Sequence, residues 1–155
     1  MLFRSRQAVD IHDIVADRVK QLAPILRDVT VRIDVRADIP LLDADYSQLE
    51  QVLTNLLANA ARHAPSGSEV WIAAIAADEV VRLEVSDQGS GIAPEEAERL
   101  FAPFERGPGS SSSGIGLAIC RSIVTAHGGT IDVRRTFGGG ATFSFTIPIH
   151  VGDQT

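Results

Sequence analysis

Residues 45–63 read Asp45-Tyr46-Ser47-Gln48-Leu49-Glu50-Gln51-Val52-Leu53-Thr54-Asn55-Leu56-Leu57-Ala58-Asn59-Ala60-Ala61-Arg62-His63. Leu49, Val52, Leu53, Leu56, Leu57 and Ala60 recur at three- and four-residue steps, which predicts a long helix with one apolar face. Asp45 is placed to cap its start, with Gln48 at the capping-box position. Pro65-Ser66-Gly67-Ser68 stops it. Asn55 and Asn59 lie four apart on a face that the apolar stripe leaves polar. Such a face can be merely solvated. Asn is a poor helix former, however, and Arg62 and His63 follow within a turn. Amide oxygens suit Mg²⁺, which prefers oxygen, and Arg62 could reach a phosphate.

The flanks read as alternating elements. Upstream, residues 10–27 carry helical spacing, with Asp10 as N-cap, Asp13 near the positive helix end and Pro24 as a stop or bend. Residues 29–35 alternate apolar and polar as a half-buried strand. Downstream, strands 70–76 and 80–85 are joined by Ala77-Asp78-Glu79, a hairpin-length link. Residues 94–100 predict a short helix with Pro94 in its first turn, and the Gly/Ser-rich stretch 107–114 predicts a mobile loop. A helix over 115–127 ends at Gly128-Gly129, and strands 130–135 and 141–149 flank Gly138-Gly139-Gly140. Strands joined by short turns cannot all be parallel crossovers. The expected fold is an α/β (α+β) two-layer sandwich, a mixed and mostly antiparallel sheet with helices on one face. Trp71 and Cys120 are expected in the core. His127, at a helix end where a cation is favoured, reads as structural.

The chain of 155 residues is expected to be one domain, 1–155. A net charge of −6 argues against a nucleic-acid binder. With one Cys there is no intrachain disulfide and no Cys-rich zinc site. The single Lys, Lys20, follows no glycines at P-loop spacing, which excludes a Walker A cradle. The longest apolar run, from Val70 to Ala77, has eight residues, against the ~20 that a membrane span needs. No membrane contact is expected of this chain. The N-terminus has no signal-peptide pattern.

Three further motifs follow the first helix. Asp87-Gln88-Gly89-Ser90-Gly91-Ile92 comes directly after a strand; glycines let backbone approach a ligand, and a carboxylate there can accept from a base amino group. By itself it could be a turn. Phe101-Ala102-Pro103-Phe104-Glu105-Arg106 could be an apolar plug. Gly114-Ile115-Gly116-Leu117 opens a helix, where free N–H groups and the dipole bind anions; it too could be an ordinary turn.

In order, spacing and content, these four motifs resemble the N, G1, F and G2 boxes of the GHKL superfamily, and most closely the catalytic ATP-binding domain of bacterial sensor histidine kinases. The resemblance runs over about residues 9–148. It includes Ala126-His127-Gly128-Gly129-Thr130-Ile131 and Gly139-Gly140-Ala141-Thr142-Phe143. Gly114 to Arg121 and Phe104-Glu105-Arg106-Gly107 look similar to KdpD-type kinases. The resemblance implies the Bergerat ATP-binding fold, with ATP and Mg²⁺ as ligands. It implies that Asn59 ligates Mg²⁺, supported by Asn55, that Arg62 contacts phosphate, and that His63 sits beside the ribose or base. Asp87 would accept the adenine amino group in a pocket shaped by Gly89, Gly91 and Ile92, with Thr142 near. Phe101 to Gly114 would be a lid, with Arg106 reaching a phosphate. Gly114, Ile115, Gly116 and Leu117 would present N–H groups to the phosphates.

The superfamily's ATP hydrolases, such as gyrase and MutL, carry Glu where Asn55 stands. An amide cannot activate water, so Asn55, with Arg62, points to phosphotransfer. The expected activity is donation of the γ-phosphate to a histidine on a dimerisation domain, in a two-component phosphorelay ending on a response regulator. Two departures stand out. Ser112 occupies a place where the second Gly box usually has Gly, and no His-Glu or His-Asp acceptor motif is present; His12 reads as a surface helix residue. The chain is therefore expected to be a monomeric catalytic fragment, cytoplasmic or the cytoplasmic part of a membrane-bound kinase. The alternatives are an anti-sigma-factor-like serine kinase and a non-catalytic nucleotide-binding module.

Overall fold

A computed structural model describes residues 6–97, 99–102, 113–136 and 139–150. The element order is β1 (Arg6–Val9), α1 (Ile11–Gln21), β2 (Thr30–Val35), β3 (Leu42–Asp45), α2 (Tyr46–His63), β4 (Glu69–Ala77), β5 (Val80–Ser86), α3 (Pro94–Ala97), a 3₁₀ turn (Arg99–Phe101), α4 (Ser113–Ala126), β6 (Ile131–Arg135) and β7 (Ala141–Pro148). A five-stranded sheet runs β2-β4-β5-β7-β6. β2 pairs with β4 in parallel and the other neighbours are antiparallel. This is the mixed, mostly antiparallel sheet expected from the turn lengths.

The helices cover one face of the sheet. Leu49, Val52, Leu53, Leu56, Leu57 and Ala60 of α2 are all buried, against Val70, Ile72 and Ala74 of β4, Leu83 of β5 and Phe143 and Phe145 of β7 in one core. Each fully buried Leu is worth about 1.5–3 kcal/mol, so this stripe fixes α2 onto the sheet. α1 ends at Gln21, three residues before Pro24, and turns occupy 22–28, shorter than the helix expected over 10–27.

Four differences from the sequence reading have physical causes. β1 and β3 form a separate antiparallel ribbon, Arg6 opposite Asp45 and Val9 opposite Leu42. Each is four residues long, too short for a periodic signal. Trp71 is not core: it is 42% exposed on the outer face, and its Nε1 donates to Glu69 Oε1 at 3.2 Å. Along 70–77 every residue is apolar, so alternation cannot tell the faces apart. The helix expected over 94–100 splits into α3 and the 3₁₀ turn. The capping box is half made. Asp45 accepts from Gln48 N–H at 3.2 Å, but Asp45's own N–H goes to His127 Nε2 at 3.0 Å.

Candidate functional site

The site lies where α2, the loop after β5, the start of β7 and the start of α4 converge. Asn55, half buried on α2, donates through Nδ2 to Gly116 O at 3.1 Å. A carbonyl can only accept, so the amide orientation is settled and Oδ1 faces away from Gly116. Asn59 is 7% exposed, and its Oδ1 accepts from Arg62 Nη2 at 3.1 Å. Arg62 and His63 are exposed at the end of the helix.

Asp87 directly follows β5 and is 3% exposed. Its Oδ1 accepts from Gly89 N–H at 2.8 Å and Ala141 N–H at 3.3 Å. Among the described residues none donates to Oδ2. Gln88 reaches the other way, its Oε1 accepting from Glu69 N–H at 2.7 Å.

Glycines let the segments meet. A Cβ on Gly89 would lie 2.5 Å from His63 O, so the loop rests on the end of α2. Gly140, at φ +85°, faces the Asp87 carbonyl so closely that a Cβ would overlap it. Neither contact was visible in the sequence, because each joins residues far apart in the chain. Gly91, at φ +84°, packs on Gly140 O. Ile92 packs half-buried against the core.

Phe101 is 6% exposed and meets Phe143 edge to face, with centroids 6.1 Å apart. The start of the Phe101–Arg106 motif is therefore core. Thr142 neighbours Ala141, but its hydroxyl bonds Ser86 Oγ and Thr136 Oγ1, both at 2.8 Å, and not the Asp87 carboxylate. The backbone of Gly114, Ile115, Gly116 and Leu117 forms the first turns of α4, with Leu117 buried. Arg106 and Ser112 lie outside the described residues, as does most of the stretch between Phe101 and Gly114.

His127 is structural, as expected, through its ring hydrogen bonds. It is 1% exposed; Nδ1 lies 2.8 Å from Ile123 O and Nε2 receives Asp45 N–H. One partner can only accept and the other only donate, so the ring is the neutral Nδ1–H tautomer. His12 packs between Asp10 Oδ1 at 3.0 Å and Arg36 O at 2.9 Å.

Cys120 is fully buried, as expected, and burial pushes its thiol from 9.0 up to about 12. Only the thiolate is reactive. At pH 8 a disulfide reagent is expected to label native protein no faster than the fold opens, and to titrate one thiol in urea; rapid native labelling would contradict this burial. Because the fold holds the protonated thiol more tightly, its contribution to stability is present below 9.0 and is lost as pH rises toward about 12.

Comparison with known proteins supplies the frame for this geometry. The family model of histidine kinase-, DNA gyrase B- and HSP90-like ATPases matches residues 44–151. The adaptive-response sensory kinase SasA of Synechococcus sp. (strain CC9311) is 37% identical over 153 residues, 94% of this chain and 40% of that protein. The sensor protein KdpD of Clostridium acetobutylicum is 35% identical over 143 residues, 89% of this chain and 16% of that protein. Full-length ShkA, solved in complex with AMPPNP, superposes with a TM-score of 0.86 at 30% identity, over 97% of this chain and 32% of that one. The catalytic domain of the histidine kinase ThkA gives 0.86 at 25% identity, over 94% of this chain and 96% of that one. The chain thus spans two fifths or less of these two curated relatives, at 40% and 16%. Among the described residues no helix is long and apolar enough to cross a membrane. By sequence and by fold, the chain belongs to the family of histidine kinase-, DNA gyrase B- and HSP90-like ATPases.

Proposed function

We propose that this domain binds Mg²⁺·ATP and donates the γ-phosphate to a histidine on the dimerisation helix of its own kinase, from which it passes to a response regulator. The observation that carries the reading is Asp87. It is a buried carboxylate with two backbone donors on Oδ1 and none among the described residues on Oδ2, which is what an adenine amino group requires of an acceptor. Gly89 and Gly91 open the space beside it, with Ile92 as an apolar wall and His63 at the rim. Thr142 supports the pocket from behind, through Ala141.

The donor set suits Mg²⁺, which takes oxygen ligands and keeps several waters. Asn59 and Asn55 would hold it through Oδ1. When bound it supplies charge neutralisation on the phosphates. Arg62, now resting on Asn59 Oδ1, is one side-chain movement from a phosphate oxygen. The amides opening α4, from Gly114 to Leu117, present N–H groups and the positive end of the helix dipole. Arg106 is assigned to the phosphates from its motif. Phosphoryl transfer asks mainly for such positioning and neutralisation. Asn55 in place of a carboxylate leaves no base to activate water.

The deciding experiment mixes the chain with a separately made dimerisation domain carrying its histidine, ATP and Mg²⁺. Acid-labile phosphate on that histidine is expected. Acid-stable phosphoserine would replace this reading with a serine kinase, and binding without transfer would leave a nucleotide-binding module. Asn59→Ala is expected to weaken ATP binding about tenfold more in Mg²⁺ than in EDTA, a coupling of about 1.4 kcal/mol. Equal loss in both, measured by calorimetry, removes Asn59 from the metal site.

A further inference from the structure

α2 and α4 run antiparallel, and three hydrogen bonds join them in step. Asp45 N–H donates to His127 Nε2 at 3.0 Å, Cys120 Sγ donates to Val52 O at 3.9 Å, and Asn55 Nδ2 donates to Gly116 O at 3.1 Å. As one partner's number rises, the other's falls, as one register requires. The last rung lies in the candidate site. The first lies ten residues earlier on α2, about 15 Å along the helix.

The first rung is also the most constrained. His127 is 1% exposed, and both ring nitrogens are committed, one to Ile123 O within its own helix and one to Asp45 N–H across the gap. Sliding α4 by one residue, about 1.5 Å, breaks the link. Gln48 makes the point sharper. It stands where a capping box would take the Asp45 N–H locally, yet its Oε1 is buried without a partner among the described residues. The chain leaves that half of the capping box unmade and commits the Asp45 N–H to the neighbouring helix.

We infer that His127 is a positioning residue for the nucleotide site. By tying the start of α2 to the end of α4, it sets the register in which Asn55 and Asn59 face Gly114 to Leu117. Its effect on binding rests on the ATP reading above; the joint itself does not.

Two substitutions separate the acceptor from the bulk. In His127→Gln the amide oxygen reaches close to the Nε2 position and can still accept from Asp45. In His127→Asn the amide stops near the Nδ1 position and cannot reach the Asp45 N–H. Both bury an amide, but Asn is one methylene smaller and leaves a cavity. His127→Met, as long as Gln and with only a weakly accepting sulfur, is therefore the packing control: it is expected to lose what His127→Asn loses, and behaviour like His127→Gln overturns the inference. The readouts are the Gly116 amide resonance without nucleotide and the affinity for Mg²⁺·AMPPNP. His127→Asn is expected to shift the resonance and weaken binding about three- to tenfold, and His127→Gln to restore both to within about twofold of wild type. Equal losses in the two variants, or wild-type behaviour of folded His127→Asn, overturns the inference. Should wild type bind no nucleotide, the ATP reading fails and the Gly116 resonance still decides the joint. A measurement on wild type guards against variants that do not fold: long-range ¹⁵N correlations should find His127 as the Nδ1–H tautomer, and an Nε2–H ring overturns the inference.

Discussion

Replacing Asp87 by Asn is expected to cost about ten- to a hundredfold in ATP affinity. The direction follows from which oxygen is already bonded. Gly89 and Ala141 both donate to Oδ1. In the amide, the carbonyl oxygen must take that place, because an NH₂ group there would face two N–H donors. The NH₂ then lands where Oδ2 was and points at the adenine amino group, donor against donor. A buried polar group left unpaired costs about 1–3 kcal/mol, or about five- to 150-fold in affinity, which brackets that loss. The same turn makes the site receptive to an acceptor, so ITP, with a carbonyl at that ring position, should lose less or gain. Calorimetry with ATP and ITP on both proteins checks the ratio. Equal loss for the two nucleotides, or a wild type that binds them alike, removes Asp87 from base recognition.

Gly140→Ala is expected to destabilise the fold by about 2–5 kcal/mol. Ala at φ +85° carries about 1–2 kcal/mol of left-handed strain. The Cβ also falls on the Asp87 carbonyl, a backbone atom that cannot swing aside, and overpacking of that kind adds about 1–3 kcal/mol. The relief available is to push the loop off the strand, which moves Asp87. Folded protein should therefore lose nucleotide affinity as well as stability. Gly139→Ala is the control: its φ is +112°, but nothing lies within 4 Å of the added Cβ. Urea midpoints that fall equally in the two variants would trace the loss to backbone conformation alone and free Asp87 from the argument.

The sequence carried what depends on neighbours in the chain. α2 was legible because six apolar residues repeat over three turns and Asp45 precedes them, and the sheet's mixed character followed from hairpin-length links. The candidate site was named from four motifs and the family they resemble, and the structure brings Asn55 against Gly116 and Asp87 against Gly89 and Ala141. What it could not carry are facts about distant partners. Gln48 was readable as half of a capping box, but the competitor, His127, arrives 82 residues after Asp45. Gly140 was one of three glycines in a turn, and nothing local marks it as the one against Asp87. Trp71 sits in an apolar run without alternation, so its face was set by the strands beside β4. Thr142 lies at the right place in the chain, yet strand alternation turns its hydroxyl to Ser86 and Thr136.

The order of strands has a consequence for the growing chain. β5 takes β7, not β6, as its partner, and Ala141, which donates to Asp87, follows it by 54 residues. At about 5–20 residues per second of synthesis, that interval lasts roughly 3–11 s. Through it, the seven-residue edge of Val80–Ser86 stands open to pairing with other chains. Asp87, the proposed adenine acceptor, also lacks one of its two backbone donors in that interval. On the proposed reading of Asp87, nucleotide gains its full hold on the domain only once β7 has docked.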